Sequence, residues 1–86
     1  MAWFVYLIEC TDGSIYTGIA LDVAARYAAH ASGKGARYTR SHPPLRLLAT
    51  LEFADRSAAS KAEYQIKQLS PGAKRAFCLQ CGAAAR

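Results

Sequence analysis

The sequence has few acidic residues, no asparagine and no long apolar run. Asp and Glu number six of the 86 residues against eleven Lys and Arg, which gives a net charge of +5. This balance disfavours cationic partners and favours a polyanion such as nucleic acid, although many basic proteins bind no acidic ligand. No stretch of 18 apolar residues is present, which excludes a transmembrane helix. The N-terminus lacks a basic leader, so we expect no signal peptide, no membrane partner and a cytoplasmic location.

Cysteine is also scarce, with three in the chain. A structural zinc site needs four Cys or His ligands, and no second C-x-x-C accompanies the one formed by Cys78 and Cys81. That pair is either redox-active or simply two reduced thiols. Its isolation on a terminal helix favours the second interpretation. Cys10 lies at the end of the first predicted strand.

What is present predicts one small α/β domain over residues 1–86, without repeats or linkers. The first strand is the most apolar, so we expect it at the centre of a small antiparallel sheet covered by helices, in the order β-β-α-β-α-α. The first two predicted strands are Trp3–Ile8 and Ile15–Ala20, joined by the turn Thr11–Ser14, and a helix Val23–Ala31 capped by Asp22 follows them. The loop Ser32–Pro44, with room for a helical turn near Ala36–Thr39, leads to the third strand, Leu45–Phe53.

Two further helices complete the prediction. The first is capped by Asp55 or Ser57 and has an apolar stripe of Ala58, Ala62, Ile66 and Leu69; the second runs from Pro71 to about Gly82, is capped by Ser70 and is followed by a frayed tail.

Two tyrosines, Tyr6 and Tyr16, lie in the two strands of the predicted hairpin. Strand residues alternate between faces, so a hairpin brings the two phenols together if they fall on the same side. The alternative is that both are ordinary strand aromatics. Gly18 in the second strand indicates a bulge or a close approach of the backbone.

Arg26 and His30 are four residues apart on the first predicted helix and therefore share a face. Arg26 has the donors to clamp a phosphate, and His30 can transfer a proton near neutral pH. The alternative is a surface ion pair between Asp22 and Arg26, with His30 in solvent.

Glu63 flanks the apolar stripe of the next long helix. A carboxylate at the margin of a buried face can point into a cleft and hold a hard cation. The alternative is a surface ion pair with Lys67, four residues later.

The glycine-rich loop is basic. Lys34, Arg37 and Arg40, with Arg46 beyond the loop, suit a phosphate backbone, and Tyr38 suits stacking on a base. A solvated loop without a ligand explains the same residues equally well.

Four features follow one another along the chain: V-Y-L around Tyr6, Y-T-G from Tyr16, Arg26-x3-His30 and a helical Glu63. In this order they resemble the GIY-YIG nuclease family, in particular its small stand-alone bacterial members. The stretches G-K-G-A-R-Y-T-R and A-E-Y-Q-I-K-Q-L are similar to segments of those proteins, so the resemblance runs from Trp3 to about Leu69.

The resemblance implies a three-stranded antiparallel sheet and a metal-dependent phosphodiesterase. Tyr6 and Tyr16 match the two motif tyrosines, and Glu63 matches the glutamate that binds one Mg²⁺ or Mn²⁺. Arg26 would neutralise charge on the phosphorus, and Tyr6 or His30 would activate water. A free phenol has a pKa of about 10, and we expect Arg26 and the cation to lower that of Tyr6.

The chain departs from the family in two ways. Its first triplet is Phe4-Val5-Tyr6, without the family's glycine, and it lacks the asparagine that some members place near the site. It also has no room for a separate recognition module. We therefore expect a nuclease that cleaves DNA by structure rather than by sequence, with a role in DNA repair or recombination implied by the family. The alternatives are a non-catalytic nucleic-acid-binding module and an interaction protein that uses the C-terminal helix.

Overall fold

Three strands form one antiparallel sheet, with the first strand between the other two in the order β2-β1-β3. The computed structural model describes residues 2–81, with side chains through residue 79. The predicted fold class and the central position of the first strand are confirmed. The elements are β1 (Trp3–Cys10), β2 (Ile15–Ala20), α1 (Val23–Ala31), α2 (Arg37–Ser41), β3 (Pro44–Phe53), α3 (Arg56–Lys67) and α4 (Pro71–Cys81).

The central strand is buried on both faces, as its continuous apolar run predicts. Val5 and Leu7 point to the face that α3 and α4 cover. Tyr6 and Ile8 point to the opposite face, which α1 covers. Successive side chains of a strand alternate in direction, so one eight-residue strand supplies both layers of the core.

Short polar side chains begin the long helices. The carboxylate of Asp22 accepts a hydrogen bond from Ala25 N at 3.0 Å. Asp55, rather than Ser57, caps α3 and accepts from Ala58 N at 2.8 Å. These bonds satisfy backbone donors that have no partner within the helix, which explains why the helices begin where they do.

The stripe predicted on α3 is correct in part. Ala62 and Ile66 pack on the core as predicted, but Ala59 rather than Ala58 joins them, and Leu69 is exposed because the helix ends at Lys67 and the helical spacing ends with it. The predicted frayed tail from Gly82 onward lies outside the described residues. Within residues 2–81, no helix is both long and apolar enough to cross a membrane.

Candidate active site

Tyr6 and Tyr16 lie on the same face of the sheet. Tyr6 is opposite Gly18 in the antiparallel register, and Tyr16 is opposite Ile8, so the two tyrosines are diagonal neighbours. Their ring centroids are 6.2 Å apart. The hairpin therefore brings the two phenols together, which the sequence left open.

Gly18 makes room for both rings. A Cβ atom at this position would lie 2.6 Å from the Tyr6 hydroxyl oxygen and 3.1 Å from Cε2 of Tyr16. Contacts under 3.0 Å require the neighbouring atoms to move. The close approach predicted at Gly18 is thus found, and it is made by the two phenol rings.

His30 completes the cluster from the C-terminal end of α1. Its side chain is buried, with 1% of the residue exposed. The hydroxyl of Tyr6 lies 2.8 Å from His30 Nε2, and the centroids of the Tyr16 and His30 rings are 5.1 Å apart. The alternative of a solvated His30 is therefore wrong.

The other ring nitrogen of His30 contacts Thr39 on α2. Nδ1 lies 2.6 Å from the Thr39 hydroxyl, and that hydroxyl donates to the carbonyl of Ala36 at 3.0 Å. A hydroxyl has one proton to donate, so Thr39 accepts from Nδ1. The Ala36 N–H also points at Nδ1, at a longer N···N distance of 3.4 Å. From the shorter contact with Thr39 we assign the proton to Nδ1, which leaves Nε2 to accept from Tyr6.

Gly35 fits against the same imidazole. A Cβ atom here would overlap Nδ1 of His30 and lie 2.8 Å from its Cγ atom. The first glycine of the loop, Gly33, serves a different purpose, because its φ of 82° is a backbone conformation that glycine adopts readily. Gly35 therefore leaves room for the His30 ring, whereas Gly33 allows the loop to turn.

The electrostatics of the cluster favour neutral groups. Burial, and then the neighbouring Tyr16, raise the pKa of Tyr6 to about 12, while Arg26 opposes the rise. Burial, and then the charge of Arg26, lower the pKa of His30. We expected a lowered pKa for Tyr6; in the protein without its ligands, desolvation outweighs the guanidinium.

Arg26 lies one helical turn before His30 and is half-buried. Its guanidinium lies close enough to the Tyr6 phenol to lower the pKa of that group. The helix thus presents a cation and an imidazole to the same phenol. Asp22, the partner considered for Arg26 in a surface ion pair, serves as the helix cap.

Glu63 does not belong to this hydrogen-bonded cluster. It lies on α3, which packs on the Val5 and Leu7 face, opposite to that of Tyr6. Its Oε2 atom is 3.3 Å from Lys67 Nζ, so the ion pair considered as an alternative is present. The Glu63 side chain is 22% exposed.

The basic loop lies beside the cluster. Lys34, Arg37 and Arg40 border or belong to α2, and the Tyr38 ring stacks on that of Tyr16 with centroids 5.7 Å apart. Arg46 lies elsewhere: its Nε atom donates to Glu9 at 2.6 Å on the opposite face of the sheet. Arg37 and Arg40 thus lie on the helix that brings Tyr38 to the cluster, and Lys34 lies in the loop before it.

The model of the GIY-YIG catalytic domain matches residues 2–75. The chain belongs to the GIY-YIG family. A UPF0213 protein of Cupriavidus necator is 61% identical over 79 residues, which are 92% of this chain and 86% of that protein. The names of such relatives state no reaction, so the activity of this chain is inferred from the family and from its own site.

Solved structures agree with the fold. The solution NMR structure of a UPF0213 protein from Bacillus halodurans is 45% identical, has a TM-score of 0.57, and covers 96% of this chain and 89% of its own. A solution NMR structure from E. faecalis is 31% identical with a TM-score of 0.65, covering 100% of this chain and 92% of its own. The GIY-YIG family is a nuclease superfamily, so membership supports a nuclease-type activity on nucleic acid.

The donor set of this GIY-YIG domain suits a hard cation that keeps most of its water. Mg²⁺ usually binds through one or two carboxylates, with water and substrate phosphate completing its shell. Glu63 can supply one carboxylate, because its contact with Lys67 is longer than the about 2.7–2.9 Å of a tight ionic hydrogen bond. Residues 2–79, whose side chains the structure describes, hold no group of three or more His, Cys, Asp and Glu, the arrangement that Zn²⁺ prefers.

Sequence reasoning missed four residues around the GIY-YIG cluster. Thr39 and Gly35 contact His30, and Asp12 pairs with His42, whose ring stacks on Tyr38. Spacing along the chain carries no signal for these contacts, since each depends on the path of a loop or a turn. The only hint is local: Gly35 and Thr39 lie within the segment that resembles the family.

Proposed function

We propose that this protein is a divalent-metal-dependent phosphodiesterase that hydrolyses DNA and selects it by structure rather than by sequence. The observation that carries the proposal is the 2.8 Å contact between the Tyr6 hydroxyl and His30 Nε2, made beside Tyr16 and Arg26. Phenol, imidazole and guanidinium groups around one point can move a proton and neutralise a phosphate. A role in DNA repair or recombination is part of the proposal and rests on the family.

The proton of the attacking water passes along the two phenols to the imidazole. Tyr16 is the more exposed tyrosine, so it contacts the water or the phosphate. As Tyr16 accepts the proton of the water, it passes its own to Tyr6, and Tyr6 passes its proton to Nε2 of His30. The lowered pKa of His30 keeps the imidazole neutral and able to accept.

The raised pKa of Tyr6 favours this relay over a stored phenolate. With a pKa of about 12, the phenol is ionised in about one molecule in 10⁵ at pH 7. A relay needs no standing phenolate, because each phenol gains one proton as it loses another. Tyr6 therefore acts between Tyr16 and His30 rather than as the base that touches water.

Charged side chains handle the phosphates. Arg26 neutralises charge that develops on the scissile phosphate, the kind of fixed electrostatic stabilisation that often dominates catalysis. Lys34, Arg37 and Arg40 contact neighbouring phosphates, which fixes the position of the DNA without reading its bases. Tyr38, stacked on Tyr16, is available to the substrate as a further ring.

Glu63 would hold the cation, either Mg²⁺ or Mn²⁺. β2 is an edge strand and α3 packs across β1 and β2, so a long acid side chain at the margin of α3 can reach around that edge. When bound, the cation would stabilise the leaving oxygen. The ion pair with Lys67 is half-exposed and weak, and it yields readily to a divalent ion.

The test is cleavage of labelled single-stranded, duplex and branched DNA with and without Mg²⁺ or Mn²⁺. We expect metal-dependent products that disappear in Glu63→Gln and persist in Glu52→Gln, which makes the same chemical change at an acid on β3. Equal cleavage by both variants would refute the role of Glu63.

A non-catalytic nucleic-acid-binding module is the second candidate, and it is favoured because α3, which carries Glu63, packs on the face opposite to that of Tyr6. Retention of DNA without cleavage, equal in the wild type and in Glu63→Gln, would establish it. In either case DNA affinity should fall steeply with salt, because Lys and Arg displace counterions from phosphates.

A further inference from the structure

A pair of residues outside the cluster joins the hairpin turn to the end of α2. His42 Nδ1 lies 2.6 Å from Asp12 Oδ2, across 30 positions of the chain. The other oxygen, Asp12 Oδ1, accepts from the backbone amide of Ser14 at 3.0 Å and from its hydroxyl at 2.6 Å. The bonds from Ser14, followed by that from His42, hold the pKa of Asp12 well below its usual range. Asp12 is therefore a fixed, ionised acceptor.

α2 depends on such contacts for its position. It has five residues and no side-chain bond at its N-cap residue, Ala36. Helices this short are unstable alone, so tertiary contacts must hold α2 in place. Tyr38 stacks on both Tyr16 and the His42 ring, with the second pair of centroids 4.2 Å apart.

Through Thr39, the position of α2 affects which ring nitrogen of His30 carries the proton. It lies between Tyr38 and the end of the helix, is buried, and contacts His30 Nδ1. If α2 moves away, Nδ1 loses its acceptor and the proton can migrate to Nε2. An Nε2 that carries a proton cannot accept one from Tyr6.

We propose that Asp12 and His42 are positioning residues: their pairing ties α2 to the hairpin turn, holds Thr39 against His30, and so keeps Nε2 of His30 free to accept from Tyr6. The effect on the tautomer of His30 is independent of any reaction. The effect on cleavage rests on the proposed function.

The test reads the protonation of each imidazole nitrogen of His30 by long-range ¹⁵N–¹H NMR of the whole chain at pH 8. The chain has two histidines, so His42→Phe leaves His30 as the single imidazole. Phe keeps a ring to stack on Tyr38 and removes the nitrogen that meets Asp12. Asp12→Ala removes the other partner, and Thr11→Ala, at an exposed residue of the same turn, is the matched control.

In the wild type we expect Nδ1 to carry the proton. His42→Phe, Asp12→Ala and the direct variant Thr39→Val should each give a mixture of the two tautomers, whereas Thr11→Ala should match the wild type. Unchanged His30 signals in both His42→Phe and Asp12→Ala would overturn the proposal. Unchanged signals in Thr39→Val would overturn the step through Thr39. Spectra of the core methyl groups, unchanged from the wild type, establish that each variant is folded.

Cleavage gives a second reading. The turnover number of His42→Phe should fall by up to about a hundredfold with little change in KM, because a misplaced proton acceptor affects the chemical step. Thr39→Ser, which keeps the hydroxyl, should retain the wild-type tautomer and rate. If the wild type cleaves no DNA, the proposed function fails while the NMR result still decides the positioning role.

Discussion

The two faces of β1 differ in chemistry although they alternate along the same strand. The face toward α3 and α4 carries Val5 and Leu7 and is mainly aliphatic. The face toward α1 carries Tyr6, whose hydroxyl bonds to His30 in a cluster of rings and polar atoms. Both faces are buried, so solvent exposure does not separate them; the kind of side chain does.

This difference indicates how a small domain combines stability with a reactive site. Aliphatic packing stabilises without requiring directional partners, whereas each buried polar atom needs one. On the α1 face, Tyr6, His30 and Thr39 supply partners to one another. We expect substitutions on that face to affect cleavage more than stability, and substitutions on the aliphatic face to do the reverse.

The largest effect should come from Tyr6→Phe on the reactive face. Phe keeps the ring and removes the hydroxyl, which interrupts the relay, so we expect cleavage to fall by about 10²–10⁴-fold. The free energy of unfolding should fall by about 1–3 kcal/mol, since Nε2 of His30 loses its partner. Steady-state cleavage and urea unfolding measure the two quantities. Cleavage equal to that of the wild type would exclude the relay.

Leu7→Ala is the counterpart on the aliphatic face. Leu7 is fully buried, so the free energy of unfolding should fall by about 2–5 kcal/mol. The cleavage rate per folded molecule, measured at low temperature, should match that of the wild type. A large loss of rate in the folded fraction would mean that the two faces are coupled.

Gly18→Ala tests the space in front of the tyrosines. The added Cβ atom would lie within 2.7 Å of two Tyr6 atoms, so the ring must shift, at a cost of about 1–3 kcal/mol and most of the activity. Gly72→Ala is the control, because nothing lies within 4 Å of a Cβ atom there. Thermal unfolding should show a loss for the first variant and none for the second. Equal melting temperatures would refute the steric role of Gly18.

The sequence predicted the fold well because its signals are local. The apolar run of β1, the Asp12-Gly13 turn and the Asp22 cap each act through near neighbours, and they agree with one another. That the two tyrosines share a face depends on the register between β1 and β2. The turn and the pattern of buried residues fix this register only when they are combined.

The surroundings of the site could not be predicted in the same way. Thr39 and Gly35 contact His30 through the path of a loop, and no period in the sequence encodes that path. The pKa of Tyr6 depends on how deeply the sheet buries it: Arg26 lowers it as expected, but burial outweighs that effect. Metal binding by Glu63 requires this side chain, carried by a helix on one face of the sheet, to approach the phenols on the other face. That role of Glu63 stays a prediction.

The pH dependence of stability should report on the face that carries Tyr6 and His30. His30 has a lowered pKa in the folded protein, so its contribution is present above the unfolded value of about 6.5 and is lost as the pH falls. Tyr6 has a raised pKa, so its contribution is present below about 10 and is lost as the pH rises toward about 12. Urea unfolding across this range should show both losses, and the alkaline loss should shrink in Tyr6→Phe. An identical alkaline profile in that variant would contradict the burial argument.

The smallest effect concerns the hydroxyl of Thr17, a buried polar atom on the otherwise mainly aliphatic face of the sheet. Thr17 lies on the α3 face of β2, is 2% exposed, and has a hydroxyl without a hydrogen-bond partner in the described part of the chain. Valine has nearly the same shape and suits a strand, so Thr17→Val should raise the free energy of unfolding by about 1 kcal/mol. Cleavage should not change, because Thr17 points away from the phenols of the hairpin. A stabilised variant with reduced cleavage would mean instead that this hydroxyl takes part in the site from the side of the sheet on which α3 packs.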